Sequence, residues 1–142
     1  MKKQILSLAL IAIMGFSAHA QKIAAARVPA AVKATFLKQF VGATAKWEKE
    51  DGQYEAVFKM DEKEMSALFS TDGKMTESEV SMQPTELPTK ILTYVKKNYK
   101  GKKIKTAAKI TKADGTVNYE AEVSGLDVMF DADGKFLKEM KA

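Results

Sequence analysis

Val28-Pro29-Ala30-Ala31-Val32-Lys33-Ala34-Thr35-Phe36-Leu37-Lys38-Gln39-Phe40 returns 59 residues later as Leu87-Pro88-Thr89-Lys90-Ile91-Leu92-Thr93-Tyr94-Val95-Lys96-Lys97-Asn98-Tyr99. In both copies a proline stands where a helix would begin, which suits it because the N–H it lacks would be unpaired there anyway. Val32, Phe36 and Phe40, and again Ile91, Val95 and Tyr99, recur at spacing four, with Leu37 and Leu92 widening the stripe. That spacing lays one helical face on a core. Gly42 and Gly101 follow, as the C-terminal ends of helices prefer.

Beyond each helix the period drops from four to two. Tyr54, Ala56, Phe58 and Met60 alternate with Glu55, Val57 and Lys59; Ile104, Thr106, Ala108 and Ile110 alternate with Lys103, Lys105, Ala107 and Lys109. Val117, Tyr119, Ala121 and Val123 alternate with Asn118, Glu120 and Glu122. These patterns predict antiparallel strands with one buried and one mainly wet face. Asp51-Gly52, Asp72-Gly73, Asp114-Gly115 and Asp133-Gly134 fall between them, two per half. Asp-Gly accepts the positive φ of both central residues in a type I′ turn and so predicts hairpins.

Tyr54-Glu55-Ala56 recurs as Tyr119-Glu120-Ala121, and Phe69-Ser70-Thr71-Asp72-Gly73-Lys74 as Phe130-Asp131-Ala132-Asp133-Gly134-Lys135. The same order of matches in both halves marks a duplication, with repeat one at about residues 28–82 and repeat two at about 87–141. Gln83-Pro84-Thr85-Glu86 joins them and is too short for a free linker. The expected fold is α+β: two tandem helix-plus-hairpins repeats sharing one antiparallel sheet, with both helices on one face.

Ahead of the first repeat stands a leader. Lys2 and Lys3 precede an apolar run from Ile5 to Phe16, and Ala18-His19-Ala20 offers small residues for a peptidase. The run is shorter than the roughly 20 apolar residues a membrane span needs. Cleavage is expected between Ala20 and Gln21, which makes residues 1–20 a signal peptide and 21–142 the domain. The product would be periplasmic, with no stable membrane anchor. Without Lys2 and Lys3 the domain keeps 21 basic and 18 acidic residues, a net charge of +3. So mild a balance, with Arg27 the one arginine, argues against a nucleic-acid partner.

His19 is the only histidine and there is no cysteine, so the domain carries neither. The usual general base, the thiolate nucleophile and nearly all zinc and copper ligand sets are therefore missing. Glu77/Glu79 and Glu120/Glu122 pair carboxylates at spacing two, but on the face expected to be wet, where no raised pKa would suit them to acid–base work. The domain is read as non-enzymatic and cofactor-free.

A proline-started helix, a strand containing Trp47, then Tyr-Glu-Ala and Phe-x-x-Asp-Gly-Lys, duplicated behind a leader, resembles the beta-lactamase-inhibitor-like, PepSY-like family. These are exported proteins found largely in Bacteroidetes. The resemblance spans about residues 28–141 and rests on fold motifs. It implies a BLIP-like α+β arrangement, a periplasmic location and no established enzymatic role. The beta-lactamase inhibitor grips an enzyme with the open face of its sheet. Fold alone does not transmit that function, and this chain lacks the inhibitor's cysteines.

The expected function is binding of another periplasmic protein, in an inhibitor-like manner, through the exposed sheet face. Trp47, Lys100, Lys102 and Lys103 are the candidate contacts. The lysine run from Lys96 to Lys105 reads first as a solvated helix end and a protected sheet edge. The alternative is a calcium-responsive protein with Asp127, Asp131 and Asp133 as ligands. With Gly134 at the sixth loop position, Met129 and Met140 would occupy positions where an EF-hand needs oxygen donors, so the Asp-Gly loops read first as turns. The methionines of the domain are assigned to the core or its margin.

Overall fold

A computed structural model describes residues 20–142. Nearly all of the expected signal peptide lies outside these residues; the first strand begins at Gln21, the residue after the expected cleavage point. The chain runs β1 (Gln21–Ile23), α1 (Ala30–Gln39), β2 (Lys46–Glu50), β3 (Gln53–Met60), β4 (Lys63–Phe69), β5 (Met75–Met82), α2 (Thr89–Asn98), β6 (Ile104–Lys112), β7 (Val117–Val123), β8 (Leu126–Asp131) and β9 (Phe136–Lys141). One-turn 3-10 helices at Ala25–Arg27 and Pro84–Glu86 lead into α1 and α2. The second sits on the expected joint, where the Gln83 amide donates to Glu86 Oε2 at 2.7 Å. All nine strands form one sheet in sequence order, antiparallel throughout.

The duplication is visible in the elements. Helices α1 and α2 are each 10 residues long, and each follows a proline at its N-cap. Val32 and Phe36 of α1 pack on Trp47, Tyr54, Ala56, Phe58, Ala67 and Phe69. Ile91 and Val95 of α2 pack on Ala107, Ala121, Val123, Val128 and Phe130. The register carries one face from half to half, since Ala67 lies opposite Ser78 and, further along β5, Met82 opposite Ala107. Both helices therefore cover the same face. Leu37 departs from expectation: it is 60% exposed and belongs to the outer side of α1.

The turns are of two kinds. Only Asp51-Gly52 among the Asp-Gly pairs has positive φ at both residues, 46° and 77°. Asp61-Glu62 and Ser124-Gly125 share that signature without the Asp-Gly motif. At the other three pairs only the glycine is left-handed. There Gly73, Gly115 and Gly134 donate back to Ser70, Lys112 and Asp131 respectively. Those residues in turn donate to Lys74, Thr116 and Lys135. This is the three-residue hairpin, a type I turn closed by a left-handed glycine, and it takes Asp-Gly for a different reason than the type I′ turn does.

Two of those glycines also touch helices. A Cβ on Gly73 would stand 2.8 Å from the Ala31 carbonyl carbon, and one on Gly134 would stand 2.9 Å from Lys90 Cβ. Ala31 and Lys90 occupy equivalent places in α1 and α2, so each repeat seats the start of its helix on a hairpin tip.

Candidate functional site

The face turned away from the helices was expected to be wet, and it is not. Register places Glu48 opposite Glu55, Glu55 opposite Leu68, Leu68 opposite Glu77 and Glu77 opposite Lys112. Ser66 faces Glu79, Glu79 faces Ile110 and Ile110 faces Asn118. Ala108, Glu120, Met129 and Lys138 make a third row, and Thr106, Glu122, Asp127 and Met140 a fourth. Of these carboxylates Glu48, Glu55, Glu77, Glu79, Glu120 and Asp127 are buried, Glu79 to 1% exposure. The row expected to face the core in β6 also changes side. Ala107 packs under α2, while Ala108 and Ile110 lie among the carboxylates.

No helix among the described residues covers this face, so its burial requires the sheet to curl. Burial raises the carboxyl of Glu77 on β5, and the charges of Lys112 and, from as far away as β9, Lys138 oppose that rise. In a flat sheet four strand spacings alone would put about 19 Å between Glu77 and Lys138, about twice the distance over which salt leaves charges coupled. Glu79 on β5 likewise feels Asp127 on β8. The free face is accordingly a concave trough, as the coiling of a large twisted antiparallel sheet allows.

Burial of like charges fixes the chemistry of the trough. Desolvation pushes the Glu79 carboxyl well above the usual carboxylate range, and Glu120, Glu77, Glu55 and Asp127 push it further. Glu55 rises to about 7 through burial and through Glu48, Glu50 and Glu77, although a hydrogen bond from the Ser66 hydroxyl opposes the rise. Glu120 rises to about 8 through burial, Asp127, Glu122 and Glu77. Burial raises Glu77 against Lys112 and Lys138, and raises Asp127 with help from Glu122 and against Lys105. Both oxygens of Glu79 and Oε1 of Glu77 are buried without a hydrogen-bond partner among the described residues. Such atoms are rare in folded proteins, because desolvating a polar group without pairing it is unfavourable.

One edge of the trough is neutralised internally. The β6–β7 register slips between Ile104 and Thr106, leaving Lys105 as the extra residue of a bulge. Its ammonium meets Glu122 Oε1 at 2.9 Å, and the Thr106 hydroxyl donates to Glu122 Oε2 at 3.1 Å. Bulges often re-aim a side chain in this way.

The candidates taken from sequence lie elsewhere. Trp47 is 6% exposed, wedged between Phe36 at 5.4 Å and Phe69 at 6.1 Å between ring centroids, so it is a core residue on the helix side. Lys100, Lys102 and Lys103 are exposed in the connection after α2. Asp127 belongs to the trough, whereas Asp131 opens the β8–β9 turn and its Oδ1 accepts the amides of Asp133 and Lys135, both at 2.9 Å. Among the described residues no group of three or more His, Cys, Asp or Glu is arranged to hold a metal ion. Ala20 and Gln21 are exposed.

Glu55, Glu77, Glu79 and Glu120 were missed as a site because alternation identifies only the more apolar face. The missed signal is parity: Leu68, Ala108, Ile110 and Met129 share rows with the glutamates, which a wet face would not favour.

Known proteins share this architecture. A structure described as a "putative periplasmic" protein from Bacteroides eggerthii superposes with a TM-score of 0.75 at 14% identity, covering 80% of this chain and 88% of its own. A DUF2874 family protein from Bacteroides uniformis gives 0.73 at 16% identity, covering 80% and 88%. A BLIP-like protein from Bacteroides fragilis gives 0.68 at 20% identity, covering 80% and 86%. No curated protein matches the sequence. No helix among the described residues is long and apolar enough to cross a membrane. The family described as "Putative beta-lactamase-inhibitor-like, PepSY-like" matches residues 14–77 and again 52–138, and the chain belongs to it.

Proposed function

We propose that this protein is a non-enzymatic binding module that acts in the periplasm and receives another protein in the trough of its sheet. The observation that carries the reading is the set of buried carboxylate oxygens on Glu77 and Glu79 that meet no donor among the described residues. A partner that supplied donors would relieve an unfavourable arrangement which the fold by itself maintains. Residues 20–142 hold no His and no Cys, which removes the imidazole base and the thiolate nucleophile. The carboxyls of Glu55 and Glu120, contrary to the expectation from sequence, are raised to about 7 and about 8, and the binding reading assigns them to the partner. Periplasmic action is supported by the leader at Met1–Ala20 and by the description of the similar Bacteroides eggerthii protein.

The test is capture from envelope extract with tagged protein and matched surface variants. Ser66→Arg and Thr106→Arg alter the trough, while Leu37→Ala alters the exposed side of α1. A saturable partner kept by Leu37→Ala and lost by both trough variants, with circular dichroism unchanged, is the expected result. Equal capture by all three would place binding elsewhere, and no saturable partner would contradict the reading.

A further inference from the structure

The protein as a whole is basic, at +5, yet its trough is acidic. Charge is thus segregated, with the lysines after α2 outside and the carboxylates inside. The demand is sharpest at Glu79, which is 1% exposed, faces Ser66 and Ile110 across its neighbours, and has no donor on either oxygen. Four further carboxyls act on it, from Glu55 on β3, Glu77 on β5, Glu120 on β7 and Asp127 on β8. The nearby cations, Lys112 and Lys138, bear on Glu77.

We infer that the occupant of the trough is an arginine-bearing segment of a partner protein, with a guanidinium entering against Glu79 and Glu77. The inference rests on the binding role proposed above and names the chemistry of the partner. Charge complementarity selects a cation. Spread selects a polypeptide over a metal ion, since the acidic band runs from β2 to β8, about 29 Å if laid flat, and no three of its carboxylates converge as ligands among the described residues. Arginine is favoured over lysine because a guanidinium is less strongly hydrated, stays charged when desolvated and offers two parallel N–H donors to one carboxylate. Burial raises both receiving carboxyls, and a guanidinium beside them favours their ionised form, so any proton they hold is released to the buffer on binding.

Calorimetry with a defined probe tests this. The probe is an acetylated nine-residue peptide of three Ala-Ala-Arg units, and its control carries citrulline, which has nearly the same shape and no charge, at each arginine. At pH 7 the arginine peptide is expected to saturate at one per chain and to bind at least about tenfold more tightly than the citrulline peptide. Heats in two buffers of different ionisation enthalpy should report proton release. Glu79→Gln and Glu77→Gln should each weaken the arginine peptide by about tenfold. Equal binding of the two peptides, no saturable heat at millimolar peptide, displacement by millimolar calcium, or full affinity in both variants would each overturn the inference. If the peptide fails while envelope capture still depends on Ser66 and Thr106, the occupant is wrong and the binding role stands; if both fail, the role falls too.

Discussion

A carboxyl that is almost wholly buried, with no donor on either oxygen, avoids burying a charge by keeping its proton. In the folded chain burial and the neighbouring carboxyls push Glu79 toward that protonated form, whereas the unfolded chain leaves it hydrated. Its folded pKa is raised, so the stability it permits is complete below the ordinary 4.5 and drains away as pH rises toward the folded value. Glu79→Gln removes that linkage. Above pH 5 the fall in unfolding free energy should become shallower, by at most the one-proton limit of about 1.4 kcal/mol per pH unit, measured by urea unfolding at each pH. An unchanged slope would mean that Glu79 is hydrated and ionised. At Phe36 the logic is packing: its ring lies 5.5, 5.4 and 5.1 Å from those of Phe40, Trp47 and Phe58. Phe36→Ala should cost about 3–5 kcal/mol, read from the same denaturation curves.

At the scale of elements, the hairpin tips beneath the helices make a sharper test than the strands themselves. Gly73, Gly134 and Gly115 share a left-handed backbone, but only the first two meet a helix at under 3 Å from an added Cβ. Gly73→Ala and Gly134→Ala should therefore lose about 1–3 kcal/mol more than Gly115→Ala, seen as lower melting temperatures; equal losses would show that the backbone alone matters. The helices were legible because an apolar stripe at spacing four, begun by proline and repeated after 59 residues, fits a helix and does not fit a strand. The turns were legible as turns but only partly by type, since Asp-Gly serves both hairpin geometries and Asp61-Glu62 and Ser124-Gly125 carry no motif. Leu37 was misplaced because a stripe read from spacing alone does not reveal how wide a face the sheet can cover.

For the molecule as a whole, the shared sheet and the side occupied by the helices followed from sequence, whereas the trough did not. Alternation assigns faces and is blind to curvature, and it is curvature that lets Lys138 act on Glu77 across four strand spacings. Glu120 and Glu122 share a face of β7, yet one is a buried proton holder and the other the partner of Lys105 at the bulge. Because Glu55, Glu77, Glu79, Glu120 and Asp127 are all raised, the folded state binds more protons than the unfolded state from about pH 5 to pH 8. The melting temperature should then fall across that range, and calorimetric scans at constant ionic strength would reveal a flat or rising profile if these carboxyls were hydrated. The direct measurement is a carbon-detected NMR titration of the side-chain carboxyls of the protein. The trough predicts that Glu55 titrates near 7 and Glu120 near 8, with Glu79 higher than the ordinary range. Titration of all three near 4.5 would contradict it.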